Sequence, residues 1–557
     1  MKKLNTLATT IALLVGSQAA NALTPWANGA PNITIYVSGA VAQTKAYSQV
    51  VSGTLALANS VDTFNDVDPV TGSIGSRWTA HYFTGNANLG SGLAGKKILL
   101  VRRTAGGSGY GVIPLINNIP LEHLNIVGLP ASAWLADGTQ AWKQTISADN
   151  AATYLTKKIS DGGMIAVDPN IILKPGTTNY PDQQAELTTG APEPGWPLNL
   201  TTVPTTGKAK FTILPTGGLV YGVAVTLDLY KVLQAAQKRA GSLPESAVIG
   251  NYSETDMPNL NRNILASLLT GKIGAWDQVK IVDKTDGDSV KSLLDSAILA
   301  DAGVAAPYKE STTGSNLTPV ALALRNNGAA TSVIAYSVFL NYPGTKNAFA
   351  PANKTADNAV EEDASLPIVK EPIIISDTGT LLKDWQNGTN VLSFNNVVDG
   401  LGFAKRWGIA INTADKNNSV TAAGAGGDPW RYIRIDGYAP TLENVAAGVY
   451  SYWAEGVVLY RAGKADPQWA LKTKLMKTLA DSLGSPAIAG TVNTTQAWGK
   501  TGTFATTADP RGFAAAIPFN PSNPVVPFSH KNNGAVHTEI VPVADAAANG
   551  GLAVQLK

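Results

Sequence analysis

Residues 308–328 read YKESTTGSNLTPVALALRNNG. Four hydroxyl side chains, Ser311, Thr312, Thr313 and Ser315, surround Gly314, and an apolar stretch follows directly. Leu317, Val320, Ala321 and Leu324 recur at i, i+3, i+4 and i+7, the spacing of one helix face. That spacing predicts a helix with a hydroxyl and glycine cluster at its start. Two readings are open. Ser and Thr cap helices in ordinary loops; the same hydroxyls, together with free helix N–H groups and the positive end of the helix dipole, can also converge on an anion. The rest of the chain must decide between them.

The first twenty-two residues, MKKLNTLATTIALLVGSQAANA, have a basic start at Lys2 and Lys3, an apolar run from Leu7 to Val15 and a small-residue exit Ala20-Asn21-Ala22. This is the pattern of a secretory signal cleaved after Ala22. No later apolar stretch reaches the roughly 18 residues a membrane helix needs, so a soluble protein of the periplasm or the medium is expected. The chain has no cysteine, which excludes disulfides, thiol chemistry and lipidation of an N-terminal Cys. Lys and Arg number 42 against 40 Asp and Glu, and loss of Lys2 and Lys3 leaves 40 against 40. A balanced charge argues against nucleic acid or an anionic membrane as the main partner, since both select a basic excess. Charged residues are only 15%, well below the ~25% usual in soluble domains, so the surface is carried by Asn, Gln, Ser, Thr and Gly. A mature chain of about 535 residues calls for two or more lobes.

Short β-branched runs alternate with helical patterns. Ile33 to Val37, Lys97 to Val101 and Met164 to Val167 read as strands, leading into Ser38-Gly39-Ala40, into TAGGSGYG (104–111) and into Asp168-Pro169. This rhythm predicts an α/β fold of mostly parallel sheets flanked by helices, with ligand groups at the C-terminal strand ends. Helices are predicted over Leu229, Val232, Leu233 and Ala236, and from Ile264 to Thr270 with a stop at Gly271. Pro- and Gly-bearing insertions are expected at 175–207 and 344–367, and an irregular tail from Thr503 to Lys557.

Enzyme motifs fail in turn. The four histidines, His81, His123, His530 and His537, lack metal-ligand spacing. Ser108 has Gly106 before it but Tyr110 after, which misses the nucleophile elbow. Gly499-Lys500-Thr501 lacks the leading glycine and strand of a phosphate-binding P-loop, and Asp66 and Asp68 lack the rest of a calcium loop. No catalytic residue, metal or cofactor is therefore expected. What remains is a set of glycine and hydroxyl loops at 38–41, 104–111 and 311–316, with Arg102 and Arg103 beside the second; such loops can converge on an anionic or polyhydroxylic ligand. Asp168 reads equally as a ligand acceptor or as a turn cap before Pro169.

The segments IYVSGAVAQ (35–43), RRTAGGSGYGV (102–112), MIAVDPNI (164–171), GVAVTLDL (222–229), NRNILASLLTGKIGAWDQV (261–279), YKESTTGSN (308–316), WGIAIN (407–412) and YIRIDGYAPTLENVAAGVYSYW (432–453) occur in one order along the chain. In that order the chain resembles the type 2 periplasmic binding proteins, and among them the phosphate-binding component of bacterial ABC phosphate transporters. The resemblance spans roughly 33–460. It implies a two-lobed clamp with two crossings between lobes: lobe 1 over 23–215, lobe 2 over 216–428, a return to lobe 1 over 429–502, and a C-terminal extension over 503–557. In the family the ligand is held by the first glycine loop, a second Ser/Gly loop, the Asp after the third strand, and an Arg-x-Asp-x-Ser-Gly-Thr loop of lobe 2. By position these become Gly39, Ala40 and Val41; Ser108 and Gly109; Asp168; and Lys309, Ser311, Thr313, Gly314 and Ser315. Val41 stands where the family has a hydroxyl, Ser311 where it has the aspartate, and Lys309 where it has the arginine, giving a point charge in place of a bidentate fork.

The resemblance thus implies a secreted, non-catalytic solute-binding protein holding phosphate or a related small oxyanion, with an ABC permease as its partner. An extracellular structural or adhesive protein with a degenerate cleft is the alternative from another class, supported by the long insertions, the low charge and the three departures. A secreted phosphatase on the same scaffold has no visible nucleophile and base pair to support it.

Overall fold

The computed structural model describes residues 29–542 except 41, 168, 170–210, 308, 313–314, 326–327, 343–347, 354, 356–365, 373, 393–396, 399–401, 507–518, 527 and 533–534. In chain order, the first half supplies β1 (Ile33–Gly39), α1 (Thr44–Val50), β2 (Asp62–Val67), β3 (Ile74–Thr84), β4 (Lys97–Arg103) and β5 (Gly162–Ile165). A long strand β6 (Phe211–Thr226) leads to the second half: α2 (Leu227–Arg239), α3 (Arg262–Leu269), β7 (Glu310–Thr312), β8 (Ser315–Leu317), β9 (Ala321–Ala323), α4 (Ala330–Leu340), β10 (Ile368–Lys370), α5 (Ile375–Asn387), β11 (Gly408–Thr413) and β12 (Trp430–Tyr432). The chain then returns through β13 (Trp453–Arg461), α6 (Trp469–Leu483) and β14 (Thr503–Thr506).

One sheet runs β10-β9-β11-β6-β13-β5-β1-β4-β3-β2 and ends on two short edge strands. Its α/β character is the one expected from the sequence. Its pairing is mixed rather than mostly parallel. Two parallel trios, β5-β1-β4 and β10-β9-β11, are joined through antiparallel β13 and β6. The reason lies in the connections: parallel neighbours need helical crossovers, whereas strands that carry the chain between halves enter from the other side.

β6 serves both halves. Phe211 to Val220 pair with β13, while Tyr221 to Val225 pair with β11, and a bulge interrupts the ladder between Pro215 and Gly218. The handover therefore falls at Val220/Tyr221. β12 pairs with Ala224 to Thr226, so the chain stays with the second half until β13. Each half has its own apolar interior. Ile35, Val37, Tyr47, Val50, Leu100 and Met476 pack together in the first, and Val223, Leu233, Leu268, Trp276, Leu322 and Trp407 in the second.

The helices expected around Leu229 and Ile264 form as α2 and α3, with Gly271 at φ +70° after the second. The helix expected over Leu317 to Leu324 does not form. Pro319 withholds an N–H and disfavours helical backbone at Thr318, and VALAL (320–324) is apolar at every position and wholly buried. A run buried on both faces suits a central parallel strand, and β9 pairs with β10 on one side and β11 on the other. The segment expected at 175–207 lies outside the described residues. The tail expected to be irregular from Thr503 contributes β14, which pairs with Gly218 and Leu219 of β6, and a hairpin of Phe528–Asn532 with Ala535–Pro542. No helix among the described residues is long and apolar enough to cross a membrane.

Candidate functional site

The C-terminal ends of β1, β4 and β5 and the loops that follow them approach one another at glycines. Gly39 has φ +124°, and a Cβ there would lie 2.0 Å from the Met164 carbonyl oxygen and 2.9 Å from the Gly111 Cα. A Cβ on Gly163 would lie 1.7 Å from the Gly111 oxygen. Glycine is thus required where these loops cross, because only a missing side chain lets the backbones approach this closely. Ala40 N–H donates to Met164 O at 2.7 Å. Beneath it lies Arg102, which donates to the Ala40 oxygen and to Thr44 Oγ1 at 3.1 Å, with its guanidinium 4.5 Å from the Tyr47 ring centre.

The second loop, 104–111, is buried throughout. Ser108 Oγ accepts from Ala166 N–H at 3.3 Å, a bond that does not spend its own hydroxyl hydrogen. Gly109 N–H donates to Gly328 O at 2.9 Å, across the seam between the halves. Gly39, Ala40, Ser108 and Gly109 are thus brought together, with Ala166 beside them. Val41 and Asp168 lie outside the described residues.

The second-half residues chosen from sequence sit elsewhere. Glu310–Thr312 and Ser315–Leu317 pair antiparallel, Thr312 opposite Ser315, so the stretch is a hairpin and not the mouth of a helix. The reason is the same Pro319 and strand-forming VALAL that removed the helix. Without that helix, the dipole and free N–H argument for an anion no longer applies to Ser311 or Ser315, of which only the strand backbone is described. Lys309 is exposed; Thr313 and Gly314 lie outside the described residues. The hairpin enters β9 from its N-terminal end. In parallel sheets ligand groups gather at the opposite end.

At that opposite end the chain reads Arg325-Asn-Asn-Gly-Ala-Ala-Thr331 and runs from β9 into α4. This is the strand-to-helix junction that sequence reasoning placed at 309–315. Arg325 stands at the end of β9, and Thr331 in the first turn of α4. The missed signal was the strand: once VALAL is read as β, the arginine after it stands at a C-terminal strand end.

Arg325 is 4% exposed, and burial lowers its guanidinium to about 10, with Asp377 and Tyr221 acting in the opposite sense. Its Nη2 lies 3.4 Å from where a Cβ on Gly107 would be, so the guanidinium lies next to the first-half loop. Ser332 Oγ donates to Arg325 O at 2.7 Å and Tyr452 OH to Thr331 O at 3.1 Å. Tyr221 OH donates to Ala166 O at 3.0 Å. Thr331 Oγ1 is buried with no hydrogen-bond partner among the described residues. The junction therefore offers a buried cation and a spare hydroxyl opposite the Ser108–Gly109 loop.

Metal chemistry finds no support in the side chains described. No group of three or more His, Cys, Asp or Glu among the described residues could hold an ion. His81 and His123 are buried, and burial pushes them down to about 4 and about 3, which keeps both neutral near pH 7.

No protein-family description and no curated protein matches the sequence. Among solved structures, the fold is similar to a putative phosphate ABC transporter substrate-binding protein with bound phosphate from Clostridium perfringens, at 10% identity and a TM-score of 0.34, over 82% of this chain and 97% of that one. It is similar to an ABC-type phosphate transport receptor from Vibrio cholerae at 11% identity and a TM-score of 0.30, over 81% and 96%. PstS from Borrelia burgdorferi stands at 8% and 0.31, over 85% and 99%. The α/β fold rests on the sheet and its flanking helices, and the candidate site on its own contacts.

Proposed function

We propose that the chain is a non-catalytic solute-binding protein whose two lobes close over a small oxyanion, phosphate being the first to test. The lobes are the two parallel trios with their helices, joined at Val220/Tyr221 of β6 and at the entry to β13. The observation that carries this reading is Arg325, a buried cation at the C-terminal end of β9, next to the glycine loop at the C-terminal end of β4. A planar guanidinium fork at that place suits an oxyanion.

In this reading Arg325 supplies charge, the Ser108 and Thr331 hydroxyls and the backbone of residues 39–41 and 109 supply donors, and Asp168 accepts a ligand proton. Lys309, Ser311, Thr313, Gly314 and Ser315 are replaced in the second-lobe half of the site by Arg325 to Thr331. Export by the N-terminal segment and delivery to an ABC permease complete the proposal. Titration calorimetry of the mature protein with phosphate, sulfate and organophosphates is the test. Saturable heat that is lost in Arg325→Ala and kept in Lys309→Ala is expected; no heat at millimolar ligand with the protein folded would falsify the reading.

A further inference from the structure

The two strands that join the halves do not run alone, because the chain after α6 crosses between the halves beside them. It starts on the first half, where Ile488 and Val492 of the short helix Pro486–Val492 pack on the apolar interior. A hairpin of Thr494–Gln496 with Gly499–Thr501 then reaches the second half. Gln496 is buried there, and its Nε2 donates to the Ala414 and Lys416 oxygens just past β11, at 2.9 and 2.7 Å. Trp498, at the hairpin tip, is buried in the second-half interior, with its ring centre 6.0 Å from that of Tyr432 and 6.4 Å from that of Tyr252. Lys45 of α1 reaches the same place from the first half: its Nζ lies 3.1 Å from Asp415 Oδ2 and donates to Thr494 Oγ1 at 3.2 Å.

From the hairpin the chain returns to β6 at the handover between halves. Gly218 and Leu219 pair with Glu455 and Ala454 of β13 and also with Phe504 and Thr503 of β14, so β6 is flanked on both edges there. Phe504 is buried and meets the Trp453 ring edge-on at 5.2 Å, and Asn493 bonds the Thr503 oxygen and N–H at 2.8 and 2.6 Å. At the handover itself, Val220 N–H donates to Gly502 O and Val220 O accepts from Ala414 N–H, both at 3.0 Å. Tyr221 N–H donates to Tyr452 O at 3.0 Å, and its oxygen accepts from Tyr450 OH at 2.7 Å. With both polar groups of both residues engaged, bending β6 at this point breaks hydrogen bonds on either edge.

We propose that residues 486–506 form a strap that pins the hinge, so that the two lobes stay together without a ligand and part only when the 494–501 hairpin leaves the second half. The strap rests on the two-lobe clamp reading but not on any ligand. Its hold on the second half is the Trp498 ring and the two Gln496 hydrogen bonds, and its hold on the hinge is Gly502 and β14. Removing the first hold frees the lobes to part while the hinge strands remain paired.

The chain has no cysteine, so spin labels on Lys96→Cys and Lys284→Cys, exposed positions of the first and second halves, report one distance between the halves by double electron–electron resonance. In the ligand-free full chain a single narrow distance is expected, and in Gln496→Ala/Trp498→Ala a second, longer one. Gln496→Ala alone keeps the buried Trp498 ring, so it is expected to fold even where the double variant does not, and to show the longer distance in a smaller share of molecules. Gln237→Ala is the control. Gln237 also bonds backbone through both amide atoms, Nε2 to Asn259 O at 2.6 Å and Oε1 from Asn259 N–H at 2.9 Å, but wholly within the second half, so its distance must stay that of the parent. A broad or double distance in the parent overturns the strap, as does an unchanged distance in Gln496→Ala or a longer one in Gln237→Ala. Unchanged distances with intact phosphate heat defeat the strap alone; a longer distance in Gln496→Ala with no phosphate heat in the wild-type chain defeats the ligand reading alone.

Discussion

Two stretches of this chain look alike in composition and differ in what the fold does with them. TAGGSGYG (104–111) and KESTTGSN (309–316) both mix glycine with hydroxyl residues, and both have apolar neighbours. The first leaves the C-terminal end of a parallel strand, is buried throughout and meets the other half through Gly109 and Gly107. The second is a hairpin that begins at an exposed lysine and enters a parallel strand from its N-terminal end. Hydroxyl and glycine content therefore does not by itself bring a loop to the seam. Position at the C-terminal strand end does, because there loop backbone, helix start and the opposite half converge.

The sharpest way to break this contrast is at the glycine crossing under the first loop. Gly39→Ala puts a methyl 2.0 Å from the Met164 oxygen at a backbone φ of +124°, and is expected to destabilise the chain by at least about 3 kcal/mol in urea unfolding, if it folds at all. Next comes Arg325→Ala. Removing this buried side chain is expected to cost about 1–3 kcal/mol and to abolish phosphate heat in calorimetry.

Ser108→Ala is milder. It leaves the Ala166 N–H without its acceptor, a loss of about 1 kcal/mol, and should weaken anion binding while the fold survives. Lys309→Ala is expected to change stability by no more than about 0.5 kcal/mol, as for other exposed positions, with binding unchanged. If instead Lys309→Ala abolished binding and Arg325→Ala preserved it, the roles of the two stretches would have to be exchanged.

Much of the fold was legible in advance for a local reason. Ile33 to Val37 and Lys97 to Val101 carry apolar runs with β-branched residues, and Leu229 to Ala236 has a clean helical period; these patterns are complete within the segment that forms the element. The convergence of Gly39, Ser108 and Gly109 was legible too, since they stand at the ends of such strands. The strand before Arg325 was not. Leu317, Val320, Ala321 and Leu324 match a helix face by spacing, while Pro319 in their midst and the unbroken VALAL argue for a strand. The strand that forms is only three residues long and depends on neighbours tens of residues away.

By itself, then, the sequence determined an α/β chain of alternating strands and helices, glycine-bearing loops after its first strands, and the absence of thiol chemistry. The tertiary structure decided that VALAL is a strand, by pairing Ala321 to Ala323 with Ile368 to Lys370 and with Gly408 to Ala410. It decided as well that Arg325, not Lys309, meets the glycine loop. A short run that is apolar at every position has no period of its own, so its backbone takes whichever hydrogen-bonding partners the surrounding sheet supplies.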